Sequence, residues 1–87
     1  MNTIAPGLYR HYKGQDYQVF GVAHHSETRE ALVVYRCLYG DFSLWVRPLA
    51  MFTETVEVAG EVIPRFQFVR AFSDADAGRY PPPVWMQ

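Results

Sequence analysis

The residues with the most varied chemistry lie in one stretch, residues 23–48. Near its start, residues 25–28 read His-Ser-Glu-Thr, which we call the HSET loop. A base, a hydroxyl and a carboxylate are the groups of nucleophilic catalysis, provided that their side chains converge within hydrogen-bond reach. Adjacent residues of an extended chain point to opposite sides, so this run does not form a triad by itself. We predict no catalytic residue, and keep a small hydrolase-like site around His25, Ser26 and Glu27 as the third interpretation.

Metal binding would draw on His11, His24 and His25, together with Glu27 or Glu30. A closed zinc site needs four ligands, and paired cysteines or histidines at helical spacing are its usual signature. The chain has a single cysteine, and two adjacent histidines on a strand face opposite sides. The sequence therefore predicts no metal site, and nothing in it indicates a cofactor.

The second half of the stretch indicates recognition. Side chains two apart in a strand share a face, so Phe42, Leu44 and Val46 are expected to face the core. Trp45 and Arg47 would then lie on the more exposed side, where a guanidinium can stack on an indole. Tryptophan, tyrosine and arginine are the residue types most enriched at binding hot spots. We therefore predict a binding patch in which these two residues adjoin the HSET loop.

The elements that would position this patch are short strands. Apolar runs over residues 8–13, 17–24, 31–39 and 42–47 predict four strands, and residues 55–69 predict two weaker ones. Gly40-Asp41 is a two-residue hairpin signal, and residues 49–52 are long enough for one helical or 3₁₀ turn. The run 31–38 is apolar on both faces except at Arg36, which indicates a central strand with Cys37 buried and inert. Five or six antiparallel strands predict an all-β, partly open small barrel.

The composition further restricts the domain number, the class of partner and the location that the sequence indicates. The chain has 87 residues, 49% of them hydrophobic and 16% aromatic, which suits one small domain. The net charge of -1 lacks the basic excess that a phosphate backbone attracts. A local patch of Arg10, His11 and Lys13 keeps a nucleic-acid-associated barrel as the second interpretation. One cysteine, no signal peptide and no long apolar run predict a soluble cytoplasmic protein with no membrane association.

The C-terminal residues have a different composition. We place a β domain in residues 1–72 and a proline-rich tail in residues 73–87, which we expect to be extended or loosely attached. Three prolines at 81–83 favour polyproline II. The segment from Tyr80 to Trp85 is itself a candidate ligand for a groove in its own domain or in a second copy.

Several spaced motifs together resemble a bacterial protein family, domain of unknown function 1653. They are GLYRHYKGQDY, HSETREALVVY, LYGDFSLWVRP, MFTETVEVAG and PRF, between Gly7 and Phe66. The resemblance implies a compact SH3-like β-barrel and no established activity. It also implies that the family pattern includes Tyr9, His11, Lys13, Gly14, His25, Ser26, Glu27, Thr28, Tyr39, Gly40, Trp45, Arg47 and Pro48.

We therefore interpret the chain as a small binding module for a peptide or protein partner. Its oligomeric state is not indicated by any pattern in the sequence. The predicted binding residues are His25, Ser26, Glu27, Thr28, Trp45, Arg47, Tyr39 and His11.

Overall fold

The computed structural model describes residues 4–83, which form seven strands and two short helices. The strands are β1 (Gly7–His11), β2 (Asp16–His24), β3 (Ala31–Cys37), β4 (Leu44–Pro48), β5 (Thr55–Val58), β6 (Glu61–Pro64) and β7 (Phe66–Arg70), and the helices are α1 (Leu49–Phe52) and α2 (Asp74–Arg79).

Five strands form one antiparallel sheet in the order β4-β3-β2-β1-β7, and β5 pairs with β6 in a second sheet. The first sheet is open, because β4 and β7 stand at its two edges. The prediction of a mostly β, partly open fold is confirmed. Residues 55–70 form three strands instead of two. Pro64 ends β6 and has no N–H to donate. The N–H of Arg65 donates to the carbonyl of Glu54 at 2.9 Å, and its carbonyl accepts from the N–H of Tyr12 at 2.9 Å, so the chain passes from the second sheet to the first at this residue.

One face of the large sheet carries the main core. Val33 and Val19 are almost fully buried on it, at 0% and 1% exposure. Helix α1 covers this face and inserts Phe52, whose ring stacks on Phe66 with centroids 4.2 Å apart and planes 5° apart. The helical turn predicted at residues 49–52 is confirmed, and it contributes one buried anchor to the core.

The opposite face is covered by α2, which the sequence analysis did not predict within the tail. Ser73 caps this helix, since its side chain accepts from the N–H of Asp76 while the Asp76 side chain accepts from the N–H of Ser73. Asp76 is 2% exposed and also accepts hydrogen bonds from Arg70 at 2.6 and 3.3 Å. Residues 74–79 are therefore attached to the sheet, contrary to the expectation of a loose or extended tail.

The proline segment that follows α2 also contacts the domain. Arg36 is 3% exposed, and its guanidinium donates to Gln18 at 2.8 Å and to the carbonyl of Pro81 at 2.6 Å. Burial lowers the pKa of Arg36. A buried arginine on a central strand thus binds the tail, and Trp85 lies outside the described residues. Within residues 4–83 the longest helix has six residues, so none is long and apolar enough to cross a bilayer.

Candidate functional site

The register of β4 places the predicted anchor residues on the core face of the sheet. Trp45 pairs with Tyr35, and Arg47 pairs with Val33. Directly opposed residues of neighbouring strands share a face, and Tyr35 and Val33 are both buried in the core. Trp45 and Arg47 therefore extend the aromatic core towards the edge of the sheet.

The predicted assignment of faces in β4 is wrong. Leu44 and Val46, expected to face the core, lie on the other side and are 49% and 56% exposed. Phe42 precedes the strand and has a positive φ of 55°. The centroid of its ring lies 6.2 Å from the centroid of the Tyr80 ring. An edge strand buries little on either side, so its apolar residues do not indicate which face the central strands have buried.

The indole of Trp45 is nevertheless 55% exposed, which confirms the predicted exposure for a different reason. Strand β4 is the outermost strand, so no further strand covers the ring. Beside it lies an open pocket of about 400 Å³, which we call the aromatic pocket. Its lining residues are Tyr17, Tyr35, Cys37, Tyr39, Asp41, Ser43 and Trp45.

Tyr17 joins the floor of the aromatic pocket to its rim. Its ring centroid lies 5.6 Å from that of Tyr35, which is 7% exposed, and 5.6 Å from that of Tyr39, which is 42% exposed. The hydroxyls of Tyr17 and Tyr39 are 2.8 Å apart. The hydrogen bond with Tyr17, with burial and the nearby Cys37, raises the pKa of Tyr39, which keeps its hydroxyl protonated. Cys37 is buried as predicted.

Hydrogen bonds fix the wall of the aromatic pocket that Trp45 forms. The indole Nε1 of Trp45 donates to the hydroxyl of Ser43 at 2.7 Å, and the N–H of Ser43 donates to Asp41 Oδ1 at 3.0 Å. Hydrogen bonds from the Ser43 hydroxyl and N–H lower the pKa of the Asp41 carboxyl. The exposed indole is therefore held in one orientation next to an ionised carboxylate.

Two further predicted residues lie on the core face against Phe66 and do not line the aromatic pocket. The guanidinium of Arg47 lies over the ring of Phe66, 5.4 Å from its centroid, so its ring partner is not the predicted Trp45. The His11 ring packs 4.9 Å from the same Phe66, and its Nδ1 accepts from the N–H of Lys13 at 3.1 Å. Burial, then the charges of Arg65, Lys13 and Arg47, lower the pKa of His11, which favours its neutral form.

The HSET loop lies at the other end of the β2–β3 hairpin. The last pair before the loop is His24 with Ala31, whereas Trp45 pairs with Tyr35. Tyr35 lies four residues further along β3 than Ala31, a distance of about 13 Å. Tyr39 and Asp41 lie further along in the same direction. The predicted juxtaposition of the HSET loop with Trp45 is therefore wrong.

The polar groups of the HSET loop bond to the loop's own backbone. His25 Nδ1 accepts from the N–H groups of Glu27 and Thr28 at 3.1 and 3.3 Å, and Thr28 Oγ1 accepts from the N–H of Glu30 at 3.2 Å. Arg29 adopts a positive φ of 64° to complete the turn. These contacts make the segment a polar turn between two core strands.

The predicted basic patch is also divided. Arg10 donates to the two carboxylate oxygens of Asp16 at 2.8 and 3.3 Å, so its charge is paired. His11 follows it in the strand and points to the opposite face. Within residues 4–83, no three histidine, cysteine, aspartate or glutamate side chains are grouped to hold a metal ion.

Five lining residues of the aromatic pocket were not among the predicted binding residues: Tyr17, Tyr35, Cys37, Asp41 and Ser43. A signal for two of them was present. Gly40-Asp41 was recognised as the hairpin turn, and the residues that flank such a turn are brought side by side. Tyr17 comes from the preceding strand and pairs with Cys37, which no local pattern indicates.

The sequence and the fold of this chain are both similar to those of one protein family. A family model described as "Protein of unknown function (DUF1653)" matches residues 7–68. The crystal structure of a protein belonging to that family from Bordetella bronchiseptica is similar, with a TM-score of 0.73 and 39% sequence identity. The similarity covers 80% of this chain and 92% of that chain. No curated protein matches the chain in sequence. The family match includes every lining residue of the aromatic pocket and ends before α2.

Proposed function

We propose that this chain, which belongs to the DUF1653 family of proteins of unknown function, is a binding module. It holds an extended peptide segment of a protein partner in the aromatic pocket. The observation that supports this most directly is the exposure of Trp45 and Tyr39, 55% and 42%, around an open pocket of about 400 Å³. Large aromatic side chains left half in water are the residues that gain most from contact with a partner.

The orientation of these rings favours binding. The indole of Trp45 is held by Ser43, and the hydroxyl of Tyr39 is held by Tyr17. Ordering a side chain at an interface costs about 0.5–1.5 kcal/mol, and a ring already held by a hydrogen bond avoids much of that cost. The apolar surface that a ligand covers here therefore contributes more fully to affinity.

Strand β4 explains why the ligand is expected to be extended. It is the outermost strand of the sheet and carries Trp45 at its second position. An extended peptide can add to such an edge through main-chain hydrogen bonds while its alternate side chains enter a pocket. Arg47, two residues further on the same face, would meet the next inward-facing side chain of that peptide.

The other two interpretations have less support. A nucleic-acid-associated barrel depended on Arg10 and Lys13, and Arg10 is paired with Asp16. A hydrolase-like site depended on the HSET loop, where Nδ1 of His25 already accepts two backbone N–H groups. Steep weakening of any RNA binding with added salt would favour the first of these over a peptide ligand.

The experiment is selection from a displayed library of random linear peptides against the full chain, followed by affinity measurements on two variants. Trp45→Ala removes a wall of the pocket and is expected to weaken binding by about tenfold or more. Val46→Ala, the next residue on the opposite face and equally exposed at 56%, is the matched control and should change affinity by less than about twofold.

The proposal is overturned if selection enriches no peptide, or if the enriched peptides bind both variants equally well. Because Trp45 and Val46 are exposed to a similar degree, both variants should remain folded. Circular dichroism on each variant checks this before affinity is compared.

A further inference from the structure

We infer that the aromatic pocket recognises an alkylammonium cation, the side chain of a lysine with or without N-methyl groups, within the bound peptide. This inference rests on the proposed function and specifies the chemistry of its ligand. It depends on three features of the pocket, namely the arrangement of its rings, its charge and its size.

The rings form walls around a space. Tyr17 lies at steep interplanar angles of 75° and 80° to Tyr35 and Tyr39, and Trp45 lies on β4, paired with Tyr35 of β3. Rings at steep angles present faces in different directions, whereas stacked rings such as Phe52 and Phe66 cover each other's faces. The face of an aromatic ring carries negative partial charge and attracts a cation within about 6 Å, most strongly when the ring is tryptophan.

The charge of the lining residues has the same sign as the ring faces. Asp41 is the carboxylate among the described lining residues of the pocket, and none of those residues is a lysine, arginine or histidine. Its hydrogen bonds to Ser43 lower its pKa, so it is ionised at neutral pH. An anionic ligand such as a phosphopeptide would meet this carboxylate, whereas a cation gains from it.

A second pocket, on the opposite face of the sheet, shows the contrasting case. Its volume is about 300 Å³, and it lies between Phe20, Phe72 and the prolines at 81–83. The charged residue in its lining is Arg36, which repels cations. Two pockets of similar volume on one small domain thus carry opposite charge, and the aromatic pocket is the one suited to an ammonium group.

The volume of about 400 Å³ fits a side chain. Pockets that enclose whole drug-sized ligands range from about 300 to 1,000 Å³, and this one is open to solvent and near the lower limit. An alkylammonium head with its methylene stem is slender enough to enter between Tyr39 and Trp45 while the peptide backbone remains outside, at the edge of β4.

The test compares two peptides taken from the selection described above. One carries trimethyllysine at the pocket position, and the other carries its uncharged tert-butyl isostere, which has the same shape. We expect the charged peptide to bind about fivefold or more tightly. Asp41→Asn should reduce this preference by about threefold and leave the affinity for the isostere unchanged, because asparagine Oδ1 can still accept from Ser43.

Equal affinity for the two peptides would overturn the ammonium inference and leave the peptide-binding proposal standing. Failure of both peptides to bind in a Trp45-dependent manner would overturn both proposals. Tetramethylammonium chloride alone forms the third arm. If it binds as tightly as the charged peptide, the inference fails as a statement about lysine, because a free quaternary ammonium compound would then account for the site. Chemical-shift changes at Tyr39 and Trp45 locate the binding in each arm.

Discussion

The two ends of the β2–β3 hairpin differ in how their polar and aromatic side chains are used. At one end the HSET loop has more varied chemistry, yet His25 and Thr28 bond to their own backbone. At the other end Tyr39 and Trp45 use one polar atom each in an internal hydrogen bond and leave about half of their surface exposed. The first end completes a turn, and the second leaves aromatic ring surface exposed to solvent.

This difference shows why residue types alone are a weak guide to a site. A histidine, a serine and a glutamate in sequence suggest catalysis, but a tight turn has its own unpaired N–H groups that need acceptors. Aromatic rings have no comparable local demand beyond one polar atom. Their ring surface therefore remains available even when their orientation is fixed.

The largest effect is expected at the floor of the aromatic pocket. Tyr35→Ala should lower the free energy of unfolding by about 3 kcal/mol, because it removes a buried ring that packs against Tyr17 and Phe52. Tyr39→Ala, at the exposed rim, should cost under about 1 kcal/mol. Denaturant unfolding measures both variants. Similar losses would contradict the distinction between a structural floor and a binding rim.

The second expected effect concerns stability in acid and involves neither end of the β2–β3 hairpin. The hydrogen bonds from Arg70 and Ser73 hold the pKa of Asp76 well below its ordinary value of 3.8. The folded state therefore gains stability from Asp76 above the unfolded pKa and loses it as the pH falls below about 4. The folded wild-type chain should lose stability as the pH falls through this range. Asp76→Asn should be less stable than the wild type at pH 7, and its stability should change less with pH.

Asp41→Asn is the matched control for acid unfolding, because this carboxylate is also hydrogen-bonded but lies at the exposed pocket end. It should keep most of the wild-type decline. Unfolding midpoints recorded at several pH values distinguish the two variants. If Asp41→Asn flattened the profile as much as Asp76→Asn, the attribution to α2 would be wrong.

The smallest effect is expected at the HSET loop. His25→Ala removes the acceptor of two exposed backbone N–H groups and should cost about 1 kcal/mol, since water can replace part of what is lost. His24→Ala, the neighbouring exposed residue, should cost less. Neither variant should change peptide affinity, and a tenfold loss in either would return this loop to the binding surface.

The sequence predicted the central strands well because their patterns are strong. Strand β3 begins at Ala31 as expected, and its run, apolar except at Arg36, indicated a strand with neighbours on both sides. The Gly40-Asp41 turn and the burial of Cys37 followed from the same pattern. These features depend on local composition, which one sequence contains.

Features that depend on distant residues were predicted less well. The face of Trp45 was assigned from the apolar residues of β4 itself, whereas pairing with Val33 and Tyr35 decides it. Helix α2 was missed although Ser73 and Asp76 have the spacing of a capping box, because the acidic, alanine-rich segment around them lacks an apolar stripe. Its anchor is an ion pair with Arg70, six residues before Asp76, and hydropathy does not reveal such a pair.

The pairing of β1 with β7 has a consequence for the order in which the chain is assembled. Leu8 pairs with Arg70 and His11 with Phe66, so the first strand lacks its outer neighbour until the ribosome has released almost the whole domain. Joining such distant segments closes a long loop, which slows folding relative to a hairpin. During synthesis the β2–β3 hairpin can form early, while completion of the sheet waits for the last strand.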